Sequence, residues 1–392
     1  MGDILGIIGD DSTSEIKQWL LGDPKNLLFA ELFLCERQAR IGGKRKTYDT
    51  HLFELNLYEN LCILRDEIWN GEYKPSRGTA HMIYRPVMRE IFAAPYRDRV
   101  VHHYITNNID PWWDKRLILD SYSCRVGKGT SFGIMRLKHM ILSALRNMTR
   151  PVYVVKLDIT GYFMHINRQV MYDRVIMGLD RQFAKHPEGY GKRYRILKHL
   201  IREIVFDDPT KGVKIQGSYE DWRGLPKDKS LFTAQEGCGM VIGNLTSQDF
   251  SNIYLDALDR FVKYELKYRY YGRYVDDFFL VVTEEELEKV KYDIEAIDKF
   301  LNGIGLYLNR KKTRIIPAWQ GVPFLGMVVK GHAILPGKRI SNNFANSAYK
   351  LVAGRNAMSV ESIASYLGML CHYDAGKKIE RIFEKVGWMY DW

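Results

Sequence analysis

The chain has 392 residues, enough for two or three sub-domains around a sizeable core. Its 58 Lys and Arg against 47 Asp and Glu leave a formal charge of +11, which points to a polyanionic partner, because clustered cations release counterions from phosphates. Cys35, Cys62, Cys124, Cys238 and Cys371 are odd in number, widely spaced and free of any Cys-x-x-Cys pair, a pattern that excludes a zinc ribbon or disulfide framework and predicts reduced thiols in a cytoplasmic protein.

The run Ile4 to Ile8 leads into acids rather than a cleavage site, and no later stretch reaches the length of a membrane span. Neither a signal peptide nor a membrane partner is expected. From Ser12 to about Cys35 the spacing predicts amphipathic helix, punctuated at Gly22-Asp23-Pro24. Arg37 to Lys46 is a basic, glycine-containing loop, suited either to a nucleic-acid backbone or to plain solvation. His51 to Asn70 is helical in period, with Leu52, Leu55, Leu57, Leu61, Leu64 and Ile68 on or near one side. A strand pair follows around Met82–Arg85 and Arg89–Phe92, joined across Pro86. Arg85, Arg89, Arg97 and Arg99 concentrate charge there; Arg89 is a candidate for holding a triphosphate by bidentate contacts, and surface salt bridges are the alternative. Asp120 to Gly133 reads as a loop before an apolar helix running to about Met148. Its Gly127-Lys128-Gly129-Thr130 lacks the Gly-x-x-x-x-Gly-Lys-Ser/Thr spacing, so a P-loop nucleotidase is rejected in favour of a contact with a nucleic-acid backbone.

Val152 to Leu157 predicts a strand that ends in Asp158, either a metal ligand or an ordinary strand-end acid. Phe206 to Glu236 is turn-rich and reads as an inserted loop or hairpin. After it, Thr246 and Ser247 stand where an N-cap belongs, ahead of a helix carrying Phe250, Tyr254, Leu258 and Phe261. Gly243 permits close approach of its backbone, and Gln248 in the first turn could face a substrate; an ordinary strand-to-helix turn is the alternative.

Gly272 to Thr283 reads as two strands interrupted by Asp276 and Asp277, with Tyr274, Val275, Phe278, Phe279 and Leu280 as core. Adjacent carboxylates between apolar flanks are costly unless a cation pairs with them. An exposed Asp-Asp turn is one resolution, and a hard divalent ion held by oxygen ligands is the other. Thr283-Glu-Glu-Glu286 is a capping box opening a helix with Leu287, Val290, Ile294, Ile297 and Leu301 on one face and Gly303 as its stop. A strand at Gly305–Leu308, cations in Asn309–Thr313, a hairpin from Pro323 to about Leu335 and three basic, apolar helices from Arg339 onward complete the chain.

If the sheet brings Asp158 beside Asp276 and Asp277, the three acids suit two Mg2+ ions roughly 3.5 to 4 Å apart, the arrangement for in-line displacement at phosphorus. Arg89 and either Lys311 or Lys312 would neutralise a triphosphate.

Tyr274-Val-Asp-Asp277 resembles the Tyr-x-Asp-Asp motif of reverse transcriptases. Other segments fall in that family's order: Arg85 to Arg99, Lys156-Leu-Asp-Ile-Thr-Gly-Tyr-Phe163, Gly243-Asn-Leu-Thr-Ser-Gln248, Leu306 to Thr313 and Phe324-Leu-Gly326. The likeness covers about residues 80 to 330. It implies an α+β, right-hand polymerase: an N-terminal helical and basic extension over 1–50, fingers over 51–150, a palm of antiparallel sheet plus helices over 151–335 with the insertion at about 206–236, and a short helical thumb over 336–392. It further implies that Asp158 and Asp276 bind two Mg2+ ions, with Mn2+ as a substitute, that Asp277 assists, and that the carbonyl of Ile159 completes a site. Phe163 would be the gate against a ribose 2′-hydroxyl, and Lys312 would approach the pyrophosphate. The activity implied is RNA-directed DNA synthesis from dNTPs on a template RNA, giving cDNA.

Gly-x-x-x-Ser-Gln and the insertion resemble the enzymes of diversity-generating retroelements in bacteria and phages, with a small accessory protein, and related antiviral-defence enzymes that use a dedicated noncoding RNA and an oligomeric assembly. No maturase or endonuclease domain is expected after the thumb. A catalytically idle RNA-binding scaffold is the rival from another class, and the primer is either a nucleic-acid 3′-hydroxyl or a tyrosine such as Tyr390.

Overall fold

Val152 to Leu157 is apolar or β-branched at nearly every position, so as a strand it needs neighbours on both edges and cover on both faces. The computed structural model describes residues 22–85, 87–147, 149–185, 189–354 and 358–387. Ser12, the Ile4–Ile8 run and Tyr390 lie outside the described residues.

Helix α1 (Pro24–Ala39) begins at the interruption expected near Gly22-Asp23-Pro24 and runs past Cys35: the Asp23 side chain accepts from the Lys25 N–H, and Pro24 takes the first turn, where a missing N–H costs nothing. The single helix expected over His51–Asn70 is two, α2 (Tyr48–Leu55) and α3 (Leu57–Asn70), because Asn56 leaves helical geometry at φ −123°, ψ 45°. Leu52 and Leu55 are consequently exposed, while Leu61, Leu64 and Ile68 are buried. Strands β1 (Thr79–Ile83) and β2 (Arg89–Ala93) follow, β1 lying somewhat upstream of the Met82–Arg85 expected. Then come α4 (Tyr96–Asp114), α5 (Thr130–Leu145), β3 (Val152–Asp158), α6 (Tyr162–His165), α7 (Arg168–Phe183), α8 (Lys192–Phe206), β4 (Lys214–Ile215), α9 (Leu245–Arg260), β5 (Tyr271–Tyr274), β6 (Asp277–Thr283), α10 (Leu287–Asn302), β7 (Arg314–Pro317), β8 (Val322–Phe324), β9 (Met327–Val329), β10 (Ile334–Pro336), α11 (Lys338–Val352), α12 (Met358–Leu370) and α13 (Gly376–Lys385).

These elements gather into two compact units. The first takes the chain up to Leu117, then Thr160–Ala257 and Leu301–Tyr307. Its sheet has the order β2-β1-β4, with β1 and β2 antiparallel and β4 joining β1 in parallel. The stretch from Phe206 to Glu236 is thus built into this sheet. Its anchor is Glu90, 1% exposed, whose carboxylate accepts from Trp222 Nε1 at 2.8 Å, from Ser230 Oγ at 2.8 Å and from the Leu231 N–H. A buried carboxylate with three donors is satisfied without a counter-cation.

The second unit comprises Ile118–Ile159, Leu258–Phe300 and the residues from Leu308 on. Its four-stranded sheet runs β5-β6-β3-β7, antiparallel throughout. α5 covers it with Ile134, Leu137, Met140 and Ile141, which share one core with Val152, Val154, Phe279 and Val281. The small sheet β10-β9-β8 continues this core through Val322, Phe324 and Met327. Thr283 forms the expected capping box with Glu286, first around a short 3-10 turn and then into α10. The strand expected at Gly305–Leu308 is absent: only Leu308 makes an isolated bridge, to Ile159, and its N–H donates to Asp298. α11, Ile363 of α12 and Phe383 of α13 bury a separate core around Phe344. Among the described residues no helix is long and apolar enough to cross a membrane.

Candidate active site

The register of two central strands builds the site. β3 pairs with β6 so that Asp158 stands directly opposite Asp277, and β5 pairs with β6 so that Tyr274 faces Asp277 across a tight turn containing Val275 and Asp276. Directly opposed residues of an antiparallel pair lie with their Cβ atoms roughly 4.5–5.5 Å apart, so Asp158 and Asp277 meet at one end of the two central strands, with Asp276 in the adjoining turn. The turn is fastened to the end of β3, because the Ile159 N–H donates to the Asp276 carbonyl at 3.2 Å. Phe278, Phe279 and Leu280 are core as expected, but Tyr274 and Val275 are only half-buried. Val275 occupies the turn itself at φ 57°, where its side chain cannot follow the strand into the sheet.

Cations balance the acids. Lys312 Nζ donates to Asp158 Oδ1 at 2.8 Å and to Oδ2 at 3.0 Å, and Lys156 Nζ lies 3.3 Å from Asp277 Oδ2. Asn309 adds its side-chain amide to Asp158 Oδ1 at 3.3 Å and its backbone N–H to the Asp158 carbonyl at 2.7 Å. Lys311 and Lys312 are equal candidates by sequence; the turn over Asn309–Thr313 delivers Lys312. Burial foremost, then the nearby Asp158 and Asp277 charges, push the Asp276 carboxyl up to about 6, against the weaker pull of Lys312. Burial likewise raises Asp277, with Lys156 working against it. Burial alone would lower Lys312, but its hydrogen bond to Asp158 and the three carboxylate charges leave it raised.

Among the described residues no three His, Cys, Asp or Glu side chains converge tightly enough to enclose a metal ion by themselves. The donor set nonetheless fits Mg2+, which takes one or two carboxylates and fills its remaining positions with water and substrate phosphate oxygens. Asp158 and Asp276 are hard oxygen donors close enough for the Asp158 charge to raise Asp276, and a cation would relieve that unfavourable charge.

Lys156 and Asn309 carry no role in the sequence reading. The signal for Lys156 was present: two residues before Asp158 on one strand, it must share that residue's face. Asn309 has no such signal, since its position depends on where the chain turns after α10.

Arg89, Phe163, Gly243 and Gln248 belong to the first unit, and Ile159 to the second. Phe163 is half-buried against the core of Ala80, Phe92, Met164 and Leu231, and its carbonyl accepts from the Met240 N–H at 2.8 Å. Gly161, at φ 49°, sets the turn before it: a Cβ there would sit 2.6 Å from the Asp228 carbonyl oxygen and 2.9 Å from the His165 ring. Gly243, at φ 125°, brings its backbone against Ile91 and Phe92 of β2, the strand that Arg89 opens. The structure therefore gathers Phe163, β2 and the Gly243 loop around one cluster. Arg89 and Gln248 are exposed. The helix after Gly243 begins at Leu245, which corrects the N-cap reading; Thr246 is already helical, and its hydroxyl pairs with His102 Nδ1 at 2.9 Å in a buried contact.

The other basic groups divide. Arg97 pairs with Glu67 and Asp98, and Arg99 donates to the Ala94 carbonyl at 2.9 Å, so both are structural. In the Asp120–Gly133 segment, Lys128 donates to the Leu119 carbonyl and Arg125 to those of Ile118 and Ser121. These cations hold their own loop together.

No known family model matches the chain. It is 23% identical over 327 residues to Protein YkfC of Escherichia coli strain K12, which covers 73% of this chain and 74% of that protein. Among solved structures, apo telomerase from Candida tropicalis truncated from its C-terminal domain superposes with a TM-score of 0.47 at 15% identity, over 66% of this chain and 54% of the other. Telomerase from Candida albicans in complex with the TWJ fragment of telomeric RNA gives 0.46 at 13% identity, over 86% and 60%. The chain thus spans little more than half the length of these telomerases.

Proposed function

We propose that this chain is an RNA-directed DNA polymerase. The observation that carries the reading is the β3–β6 register, which sets Asp158 opposite Asp277 with Asp276 alongside and Lys312 against Asp158. The ordered sequence motifs supply the reaction class. In the reaction a primer 3′-oxygen attacks the α-phosphorus of a dNTP, an O–P bond forms, and the bond to pyrophosphate breaks. Two Mg2+ ions bound by Asp158 and Asp276, with Asp277 assisting and the Ile159 carbonyl completing a site, would activate the hydroxyl and stabilise the leaving oxygen.

The remaining roles belong to this chain's side chains. Lys312 holds Asp158 and is our candidate for the pyrophosphate, and Arg89 is our candidate for the triphosphate. The Phe163 ring fills the space of a ribose 2′-hydroxyl, so sugars are sorted by a clash. Gly243 and Gln248 lie beneath the nascent base pair. The formal charge of +11 suits an RNA template and its cDNA. The Gly-x-x-x-Ser-Gln motif at Gly243–Gln248 favours a bacterial or phage retroelement of the diversity-generating type, and antiviral defence with a noncoding RNA is the neighbouring reading.

Primer extension on an RNA template with dNTPs and Mg2+ tests the proposal. Asp158→Asn and Asp276→Asn should each abolish synthesis in protein that remains folded by circular dichroism. Phe163→Ala should keep synthesis and gain rNTP incorporation. Wild type that extends no primer, or extension that survives Asp276→Asn, would overturn it and favour the idle scaffold.

A further inference from the structure

The turn that carries Asp276 is held from behind by a fully buried ion pair. Arg273 and Asp259 both have side chains at 0% exposure, and both belong to the second unit. Arg273 Nε donates to Asp259 Oδ1 at 2.7 Å and Nη2 to Oδ2 at 2.7 Å, a bidentate fork. Nη2 also reaches Ser121 Oγ at 3.1 Å, and Nη1 donates to the Val275 carbonyl at 3.1 Å. Tyr271 adds its hydroxyl to Asp259 Oδ1 at 2.6 Å. The Arg273 backbone is fixed too: its N–H donates to the Asp120 carbonyl at 2.8 Å, and its carbonyl accepts from the Tyr122 N–H at 2.9 Å.

A buried ion pair seldom adds stability over apolar residues of the same volume, because both charges must be desolvated. This pair has a second consequence. Val275 is β-branched and sits at φ 57°, a conformation such a residue adopts only when its surroundings impose it. Arg273 holds the carbonyl of that residue, and the Ile159 N–H holds the next carbonyl, that of Asp276. The backbone on both sides of the Asp276 side chain is therefore pinned.

We infer that Arg273, oriented by Asp259, is a positioning residue that imposes the Val275 turn and so aims Asp276 at its ion. The inference rests on the polymerase reading for its activity arm and on the metal site proposed with it for its Mn2+ arm. Arg273→Lys keeps a charge opposite Asp259 but loses the fork that spans Asp259 and the Val275 carbonyl. In this variant, kcat for single-nucleotide extension should fall by roughly one to two orders of magnitude with the primer-template KM unchanged, since misplacement of a reacting group costs rate rather than binding. Mn2+ binding to nucleic-acid-free protein, followed by electron paramagnetic resonance, should weaken in parallel. Adding Val275→Gly, which accepts the left-handed conformation without strain, should recover part of the lost kcat, a response that loss of general stability would not give.

A folded Arg273→Lys protein with wild-type kcat or wild-type Mn2+ affinity overturns the inference, as does a Val275→Gly double variant with no recovery. If wild type makes no DNA at all, the polymerase reading falls, and the Mn2+ affinities of wild type and Arg273→Lys still decide the role of the clamp. If Arg273→Lys does not fold, Ser121→Ala and Tyr271→Phe remove the Ser121 hydroxyl from Arg273 and the Tyr271 hydroxyl from Asp259 and leave the ion pair. A lower kcat and weaker Mn2+ binding in these two variants support the clamp, and unchanged values refute it.

Discussion

At Asp276 the proposed function and stability pull in opposite directions. Its carboxyl is pushed from 3.8 up to about 6, so between those values the folded chain holds a proton that the unfolded chain has released. Stability therefore falls as pH rises through that window, and the loss is complete above it, at most about 3 kcal/mol at 1.36 kcal/mol per unit. Asp276→Asn should raise the melting temperature of metal-free protein at pH 8 and flatten its dependence between pH 4 and 6, while abolishing synthesis. Mg2+ should raise the melting temperature of wild type more than that of the variant. Thermal scans with EDTA and with Mg2+ check both. Asp249 adds a second slope of the same sign: burial first, then the Asp110 charge, push it up to about 8 despite its hydrogen bond from Thr106. Asp249→Asn should remove the part of the decline between pH 6 and 8.

At the level of elements, the segment from Phe206 to Glu236 depends on one carboxylate. Glu90 receives the Trp222, Ser230 and Leu231 donors, and truncation to Ala leaves them buried without an acceptor, at about 1–3 kcal/mol for each group that water cannot reach. Glu90→Ala should lower the melting temperature and expose this segment to limited proteolysis ahead of the rest of the chain, read by mass spectrometry of early cleavage products. Gly161 makes the same point with a backbone, because a Cβ would collide with the Asp228 carbonyl. Neither dependence was visible in the sequence, where the segment shows only turn residues and Glu90 only an acid in a strand.

For the whole molecule, the excess of cations over acids predicts RNA binding that weakens steeply and linearly in log–log with salt. Filter binding of a labelled template between low and physiological salt should show this, and Lys312→Ala should leave the slope nearly unchanged while slowing extension, since Lys312 serves the acids rather than the RNA backbone. A salt-independent affinity would contradict the electrostatic reading.

Periodicity and turn chemistry alone placed the strand ending at Asp158, the hairpin around Asp276 and Asp277, the capping box at Thr283, the break near Gly22-Asp23-Pro24 and three helices after Arg339, because each is dictated by residues within a few positions of one another. The three acids were legible as candidates for the same reason, as charges inside apolar runs. Tertiary structure decided what local pattern cannot encode. The β3–β6 register set Asp158 against Asp277. The turn after α10 chose Lys312 over Lys311 and brought in Asn309, and Asn56 divided a helix whose apolar spacing looked continuous. Only the packed core shows how two acids in an apolar hairpin are accommodated: lysines neutralise two of the three carboxylates, and a buried Arg273–Asp259 pair holds the turn that carries the other.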